Sequence, residues 1–237
     1  MNDRNRFGSV WSFFAMATAF LCFIPVAWAA DNDKDQAELA KRLVAATKVL
    51  NEVMATPNKA IPDGIIKRAT CVAVFPSTVQ VAVLVGAKHG KGVATCRTAN
   101  GWSAPAPLDI SGGSWGAQLG GQEVDLVMVV TDEKGMQQLE SGKFNLGTET
   151  SITAGPVGNQ DMKMNADVVS YSRARGMFAG TNFNGSSITE DQSETRALYG
   201  ASLSLADIFG GKAQTPDAAA SFLETVQKYA GQAKQKD

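Results

Sequence analysis

Apolar residues recur at helical spacing after residue 37, where Leu39, Leu43, Ala46, Leu50 and Val53 share one face and Lys41, Arg42 and Lys48 lie off it. The spacing predicts an amphipathic helix that Thr56 and Pro57 end. A short segment from Pro62 to Ala69, carrying Ile65, Ile66, Lys67 and Arg68, predicts one or two further helical turns. From Cys71 onward the apolar period becomes that of strands. Cys71 to Phe75 is a compact apolar run closed by Pro76, Val81 to Val85 is another, and Val93 to Arg97 returns after the glycine-rich Gly86 to Gly92. This order predicts a β-hairpin with Lys88, His89 and Lys91 at its tip, and a second turn at Asn100 and Gly101. Val124 to Val130 is nearly unbroken apolar sequence and predicts a buried central strand.

The remainder alternates short elements with recognisable ends. Asp132 is placed to cap a helix through Leu139 that Gly142 stops, and Val168 to Arg173 with Met177 to Phe183 predicts a hairpin around Arg175 and Gly176. Asp191 and Glu194 open a helix that ends at Tyr199 and Gly200, and Ser204 caps another into Phe209. In the last helix Thr215 is the expected cap and Pro216 the first helical residue, with Ala219, Phe222, Leu223, Val226 and Tyr229 as the buried stripe and Gly231 as the stop. Together these elements predict a single α+β domain, an antiparallel β-sheet core, barrel- or sandwich-like, with flanking helices at both ends.

The N-terminus changes where that domain begins. Arg4 and Arg6 precede an apolar stretch from Val10 to Val26 that ends in small residues at Ala27 and Ala29. This is the pattern of a secretory signal cleaved after residue 29. The expected organisation is a signal over 1–29, a polar linker over 30–36, the domain over 37–231 and a flexible tail over 232–237. Cleavage removes Arg4, Arg6 and Asp3 from 22 basic and 23 acidic residues, leaving 20 and 22 and a net charge near −2. So slight an acidity excludes a general nucleic-acid binder. Export to the periplasm or cell envelope also places the two remaining cysteines, Cys71 and Cys96, in an oxidising compartment. Adjacent strands could join them as a disulfide, with two buried thiols as the alternative.

Candidate chemistry is sparse. Gly112-Gly113-Ser114-Trp115-Gly116 fits the G-x-S-x-G pattern of a hydrolase nucleophile, but no histidine follows Ser114 and the next residues do not read as a helix. A phosphate loop at Gly86 to Gly92 fails because Gly92 stands where a Ser or Thr would bind magnesium. His89 is the single histidine, and with the cysteines it gives no metal-ligand spacing, so no catalytic residue, metal or cofactor is expected. What remains is charge beside apolar surface: Lys41, Arg42 and Lys48 on the first helix, Lys67 and Arg68 after it, and Lys88 and Lys91 at the expected tip. A basic amphipathic helix can dock on an anionic membrane, or it can simply pack on the sheet.

Ile66-Lys-Arg-Ala69 leading to Val72-Ala-Val-Phe-Pro76, then Gly86 to Gly92, Gly101-Trp-Ser-Ala-Pro105, Gly112-Gly-Ser114, Gly155-Pro-Val-Gly158 and Tyr171-Ser172 form an ordered set of landmarks. In that order they resemble the SYLF, or Ysc84, domain family, here as a secreted, bacterial-type member. The resemblance implies a non-catalytic lipid-binding module with an N-terminal amphipathic helix. An anionic lipid or phosphoinositide-like headgroup would be its ligand, and actin a partner in fungal relatives. For an exported chain the expected partner is anionic phospholipid at a membrane surface in the envelope, or a protein partner there without lipid binding.

Overall fold

The structure, a computed structural model, describes residues 26–57, 60–147, 152–154, 167–174, 177–178, 183 and 185–231. Its architecture is α+β, a curled, largely antiparallel half-barrel with helices at its N- and C-terminal ends. Helix α1 (Val26–Ala55) is followed by the single turn α2 (Asp63–Ile66) and by strands β1 (Cys71–Thr98), β2 (Gly101–Trp102) and β3 (Ala106–Val130). Then come α3 (Glu133–Glu140), β4 (Lys143–Asn145), β5 (Ile152–Ala154), β6 (Val168–Ala174), β7 (Met177–Phe178) and β8 (Ser186–Glu190). Helices α4 (Gln192–Tyr199), α5 (Leu205–Phe209) and α6 (Ala220–Ala230) close the chain.

Helix α1 takes in residues 30–36, which read as a polar linker in the sequence. Asp31, Asn32, Asp33 and Asp35 are weak helix formers, but each costs only about 0.7 kcal/mol or less, so a helix nucleated by the packed stripe from Leu39 onward propagates back through them. Leu39, Leu43, Ala46, Leu50 and Val53 are all buried, as their spacing predicts. They pack with Val72, Val74, Val93, Val127 and Val129 on one face of the sheet, joined by Phe222 and Val226 of α6. The alternate residues Ala73, Phe75, Ala94, Leu126, Met128 and Val130 point to the other face, where Leu139, Phe144, Ile188 and Phe209 cover them. Both faces of these strands are therefore core, which is why their sequence is continuously apolar rather than alternating. The last helix begins later than its sequence suggests, through a 3₁₀ turn at Asp217–Ala219 with no side-chain cap. Nη1 of Arg97 and the indole N–H of Trp102 donate to the carbonyl of Gly231 at its far end, at 3.2 and 3.0 Å.

The expected hairpin tip at Gly86 to Gly92 is not a turn. β1 runs unbroken through it, paired with β3 from Cys71↔Val130 to Ala94↔Ala106, and the reversal lies at Ala99 and Asn100, with Gly101 at φ 137°. Nor does Pro76 end the first run; it sits in a β-bulge with Ser77 (φ 52°), where a missing N–H costs no ladder bond, and the bulge puts both Phe75 and Thr78 inside. The glycines serve a different purpose. A Cβ on Gly92 would lie 2.4 Å from the Phe75 ring and 2.6 Å from the Val74 carbonyl, so the return limb of β1 crosses its own first limb where side chains are absent. Gly92→Ala is expected to cost about 2–3 kcal/mol through overpacking against backbone. An unchanged urea midpoint for that variant would show that the two limbs do not touch.

Candidate functional site

The basic residues singled out in the sequence occupy four different environments. Lys41 and Lys48 project from the outer face of α1, more than 70 % exposed, with Val44 between them at 67 %. Their ion pairs are to carboxylates of the same helix, Lys41 to Glu38 at 3.2 Å and Lys48 to Glu52 at 3.9 Å. Such exposed pairs hold little energy and exchange readily for another anion. Lys67 and Arg68 follow α2 and are also exposed, with Lys67 2.7 Å from Asp63.

Arg42 and Lys91 are engaged in ion pairs within the fold, Arg42 with little exposure and Lys91 with 41 % of its side chain still exposed. The guanidinium of Arg42 straddles the carboxylate of Glu194 in α4, with Nη2 at 2.8 Å from Oε1; Glu194 is buried and Arg42 only slightly exposed. Lys91 reaches the same carboxylate at 3.0 Å and bonds Asp191, while Asp191 caps α4 by accepting from the Glu194 N–H at 3.1 Å and from the Ser193 hydroxyl at 2.7 Å. One acidic pair at the start of α4 thus ties α1 and β1 together. Burial pushes the Asp191 carboxyl up, but the hydrogen bonds from Lys91, Ser193 and the Glu194 N–H outweigh it and hold it below the ordinary range. Burial likewise opposes the charge of Lys91, and the bonds to Asp191 and Glu194 reverse that and raise its ammonium. The acidic pair was legible as a capping box, but its second role depends on Lys91 and Arg42, 100 to 152 positions away.

Lys88 occupies the fourth environment. It lies inside the half-barrel rather than at a tip, only 8 % exposed, with its ammonium 5.1 Å from the centre of the Phe183 ring. Burial pushes that ammonium down. The neighbouring His89 points to the outer face and is exposed, since strand residues alternate sides.

Ser114 lies within β3, paired with Gly86, and strand continues on either side. A nucleophile elbow needs a sharp turn from strand into helix, which this backbone does not make. Cys71 and Cys96 are joined as a disulfide, with Cα atoms 4.0 Å apart. The landmark at Gly155 to Gly158 and the turn at Arg175 and Gly176 lie outside the described residues.

Residues 111–229, half of the chain, match the protein-family model described as Ysc84, Las17-binding protein actin regulator. Among curated proteins, the chain is 28 % identical over 210 residues to the SH3 domain-containing YSC84-like protein 1 of Homo sapiens, covering 84 % of this chain and 61 % of that protein. The corresponding Xenopus laevis protein is 31 % identical over 167 residues, 65 % of this chain and 50 % of its own length. Protein YSC84 of Saccharomyces cerevisiae is 28 % identical over 206 residues, 83 % of this chain and 44 % of that protein. The chain therefore spans less than two thirds of the length of the relatives it matches.

Proposed function

The chain belongs to the Ysc84 family, and from that premise we propose that it is a non-catalytic domain that binds anionic phospholipid at a membrane surface of the cell envelope. The observation that carries this reading is the outer face of α1, where Val44 stands exposed between Lys41 and Lys48 while the opposite face of the helix is core. An apolar side chain flanked by lysines can enter the headgroup layer with its cations among lipid phosphates, each adding about 1 kcal/mol near an anionic surface. Lys67 and Arg68 offer further exposed charge. Arg42, Lys88 and Lys91 are not part of this surface, because they are occupied within the fold. Among the described residues no helix is long and apolar enough to cross a membrane, and attachment in this proposal is peripheral. Export, read from residues 1–29, belongs to the same proposal and separates this chain from the Las17 and actin named for its relatives.

Co-sedimentation with vesicles tests it. Protein lacking residues 1–29 is expected to pellet with phosphatidylglycerol-containing vesicles, weakly with phosphatidylcholine alone, and less in roughly 0.5 M salt, where screening is strong. Lys41→Glu with Lys48→Glu is expected to lower partitioning at least tenfold, and no pelleting under any condition would overturn the membrane reading. That outcome would leave a protein-binding role in the envelope, which Val79 and Val81 favour as two valines about half exposed on one side of β1.

A further inference from the structure

The pairing of β1 with β3 breaks register between Phe75 and Thr78 and again between Val83 and Val85, which leaves a regular stretch from Thr78 to Val83. That stretch has one neighbour. Among the described residues its ladder partner is β3 alone, and β3 meets β6 only from Val124 onward and β8 only up to Gly112. From Val79 to Val83, opposite Leu119 to Glu123, the sheet narrows to a two-stranded ribbon. Such a ribbon is marginal in water without a third strand. The free edge of β1 also lacks the usual protection, since no charged residue or proline occurs from Ser77 to Val85. Val79 and Val81, 46 % and 50 % exposed, are the large apolar side chains that the described strands leave in water. Between them the Gln80 carboxamide accepts from Gln122 at 3.3 Å, while its own amide nitrogen is sheltered from water and has no hydrogen-bond partner.

We propose that this edge pairs with the same edge of a second copy of the chain, antiparallel about a two-fold axis through Gln80. The register follows from the sequence. With Gln80 opposite its own copy, Val79 stands opposite Val81 of the second copy and Val81 opposite Val79, so each exposed valine gains a cross-strand valine about 5 Å away on the same face. Thr78 then meets Ala82, and the two breaks in register bound the pairing on either side. The two Gln80 carboxamides lie side by side, where each can donate to the other's oxygen and the orphaned nitrogen finds its acceptor. Two ribbons thus become one four-stranded antiparallel sheet, β3 and β1 of one copy continued by β1 and β3 of the other. A two-fold contact needs a patch that complements itself, and an uncharged segment with a valine on each side of its centre meets that need. A lipid surface would not, because acyl chains offer nothing to the N–H and C=O groups of a strand edge. With about five residues paired per copy the contact is small, so a dissociation constant on the order of 10–100 µM is expected. The edge is separate from the outer face of α1, so the inference goes beyond the membrane-docking reading and does not rest on it.

Sedimentation velocity of protein lacking residues 1–29, without vesicles and from about 1 to 500 µM, tests the proposal. Among the described residues the buried core begins at Leu39, so that form keeps the fold. It is expected to pass from monomer to dimer across the range. Val79→Lys with Val81→Lys, both at exposed positions, is expected to keep the urea midpoint and to weaken association at least tenfold. Lys41→Glu with Lys48→Glu is expected to leave association unchanged. Cysteine variants read the register. Mild oxidation is expected to give a covalent dimer from Gln80→Cys alone and from Val79→Cys mixed with Val81→Cys. Val79→Cys or Val81→Cys alone is expected to react at least tenfold more slowly, because like positions then lie about 7–8 Å apart across the seam. These variants decide the matter should the lysine pair lower the urea midpoint. A chain that stays monomeric throughout, a lysine pair that dimerises as well as wild type, or a Gln80→Cys protein that forms no covalent dimer would each overturn the contact. Vesicle pelleting is read separately, so its failure would sink the membrane reading and leave the dimer standing.

Discussion

Glu194→Ala is expected to lower the unfolding free energy by about 3–5 kcal/mol, read as a lower urea midpoint. The size follows from what is left behind. Glu194 is 4 % exposed and faces Arg42, itself 11 % exposed, so truncation strands a guanidinium in a place water scarcely reaches. Lys91 loses less, being 41 % exposed and keeping Asp191. The cap of α4 survives, because the Glu194 N–H still donates to Asp191. A double replacement separates the stranded charge from the value of the pair. Arg42→Met with Glu194→Leu is expected to recover most of the loss, since apolar groups of similar volume need no partner. If Glu194→Ala alone costs under about 1 kcal/mol, the pair is not sequestered as described.

The same cluster makes stability depend on pH at both ends of the range. Asp191 has its carboxyl held below the unfolded value, so its contribution is full above that value and is lost as pH falls through the folded one, in the acid range below about 4. Lys91 behaves in the opposite sense. Its ammonium is raised, so its contribution is full below the unfolded value near 10.5 and disappears as pH climbs through the higher folded one. Between these limits Asp191 and Lys91 are both charged and their bond is intact.

What could be read in the chain divides along sequence distance. The caps at Asp132, Asp191 and Ser204 were legible because each acceptor serves an N–H three residues on, a relation that no tertiary contact alters. The buried face of α1 and the exposure of Lys41 and Lys48 were legible from a period of 3.6 residues. The family was legible from landmarks that are mostly glycines and aromatic residues. Glycine was also where local reasoning failed. A cluster at 86–92 reads as a turn by composition, but what decides its conformation is contact of Gly92 with Phe75 and of Gly90 with Thr78, earlier in the same strand. Once that segment is strand, alternation sends Lys88 inward and Lys91 to the other face, and the supposed basic tip no longer exists. Arg42 is the corresponding case on a helix: the period puts it off the buried stripe with Lys41 and Lys48, and what draws it inward is a partner 152 residues away.

Loss of the disulfide, by Cys71→Ala with Cys96→Ala, is expected to lower stability by about 3–4 kcal/mol. The bond closes a loop of 25 residues, which in the chain-entropy account removes that much freedom from the unfolded ensemble. Its place in the sheet is unusual, for both cysteines belong to one strand. β1 has 28 residues and laid straight would reach about 90 Å, yet it curls until Cys71 and Cys96 are neighbours. Backbone bonds close the same junction, with the Arg97 N–H donating to Thr70 at 2.7 Å and the Thr70 N–H to Val130 at 2.8 Å. The Arg97 side chain adds a bond from Nε to the Ala69 carbonyl at 2.6 Å. Because these contacts remain in the variant, the native state should persist and the loss should come mainly from a freer unfolded chain, with a steeper urea dependence as its mark. In protein lacking residues 1–29, thiol titration in denaturant without reductant is expected to find none, and with reductant two. Two thiols before reduction would remove the disulfide. An oxidised wild type with the same midpoint as the alanine pair would overturn the account in which the bond restricts the unfolded chain.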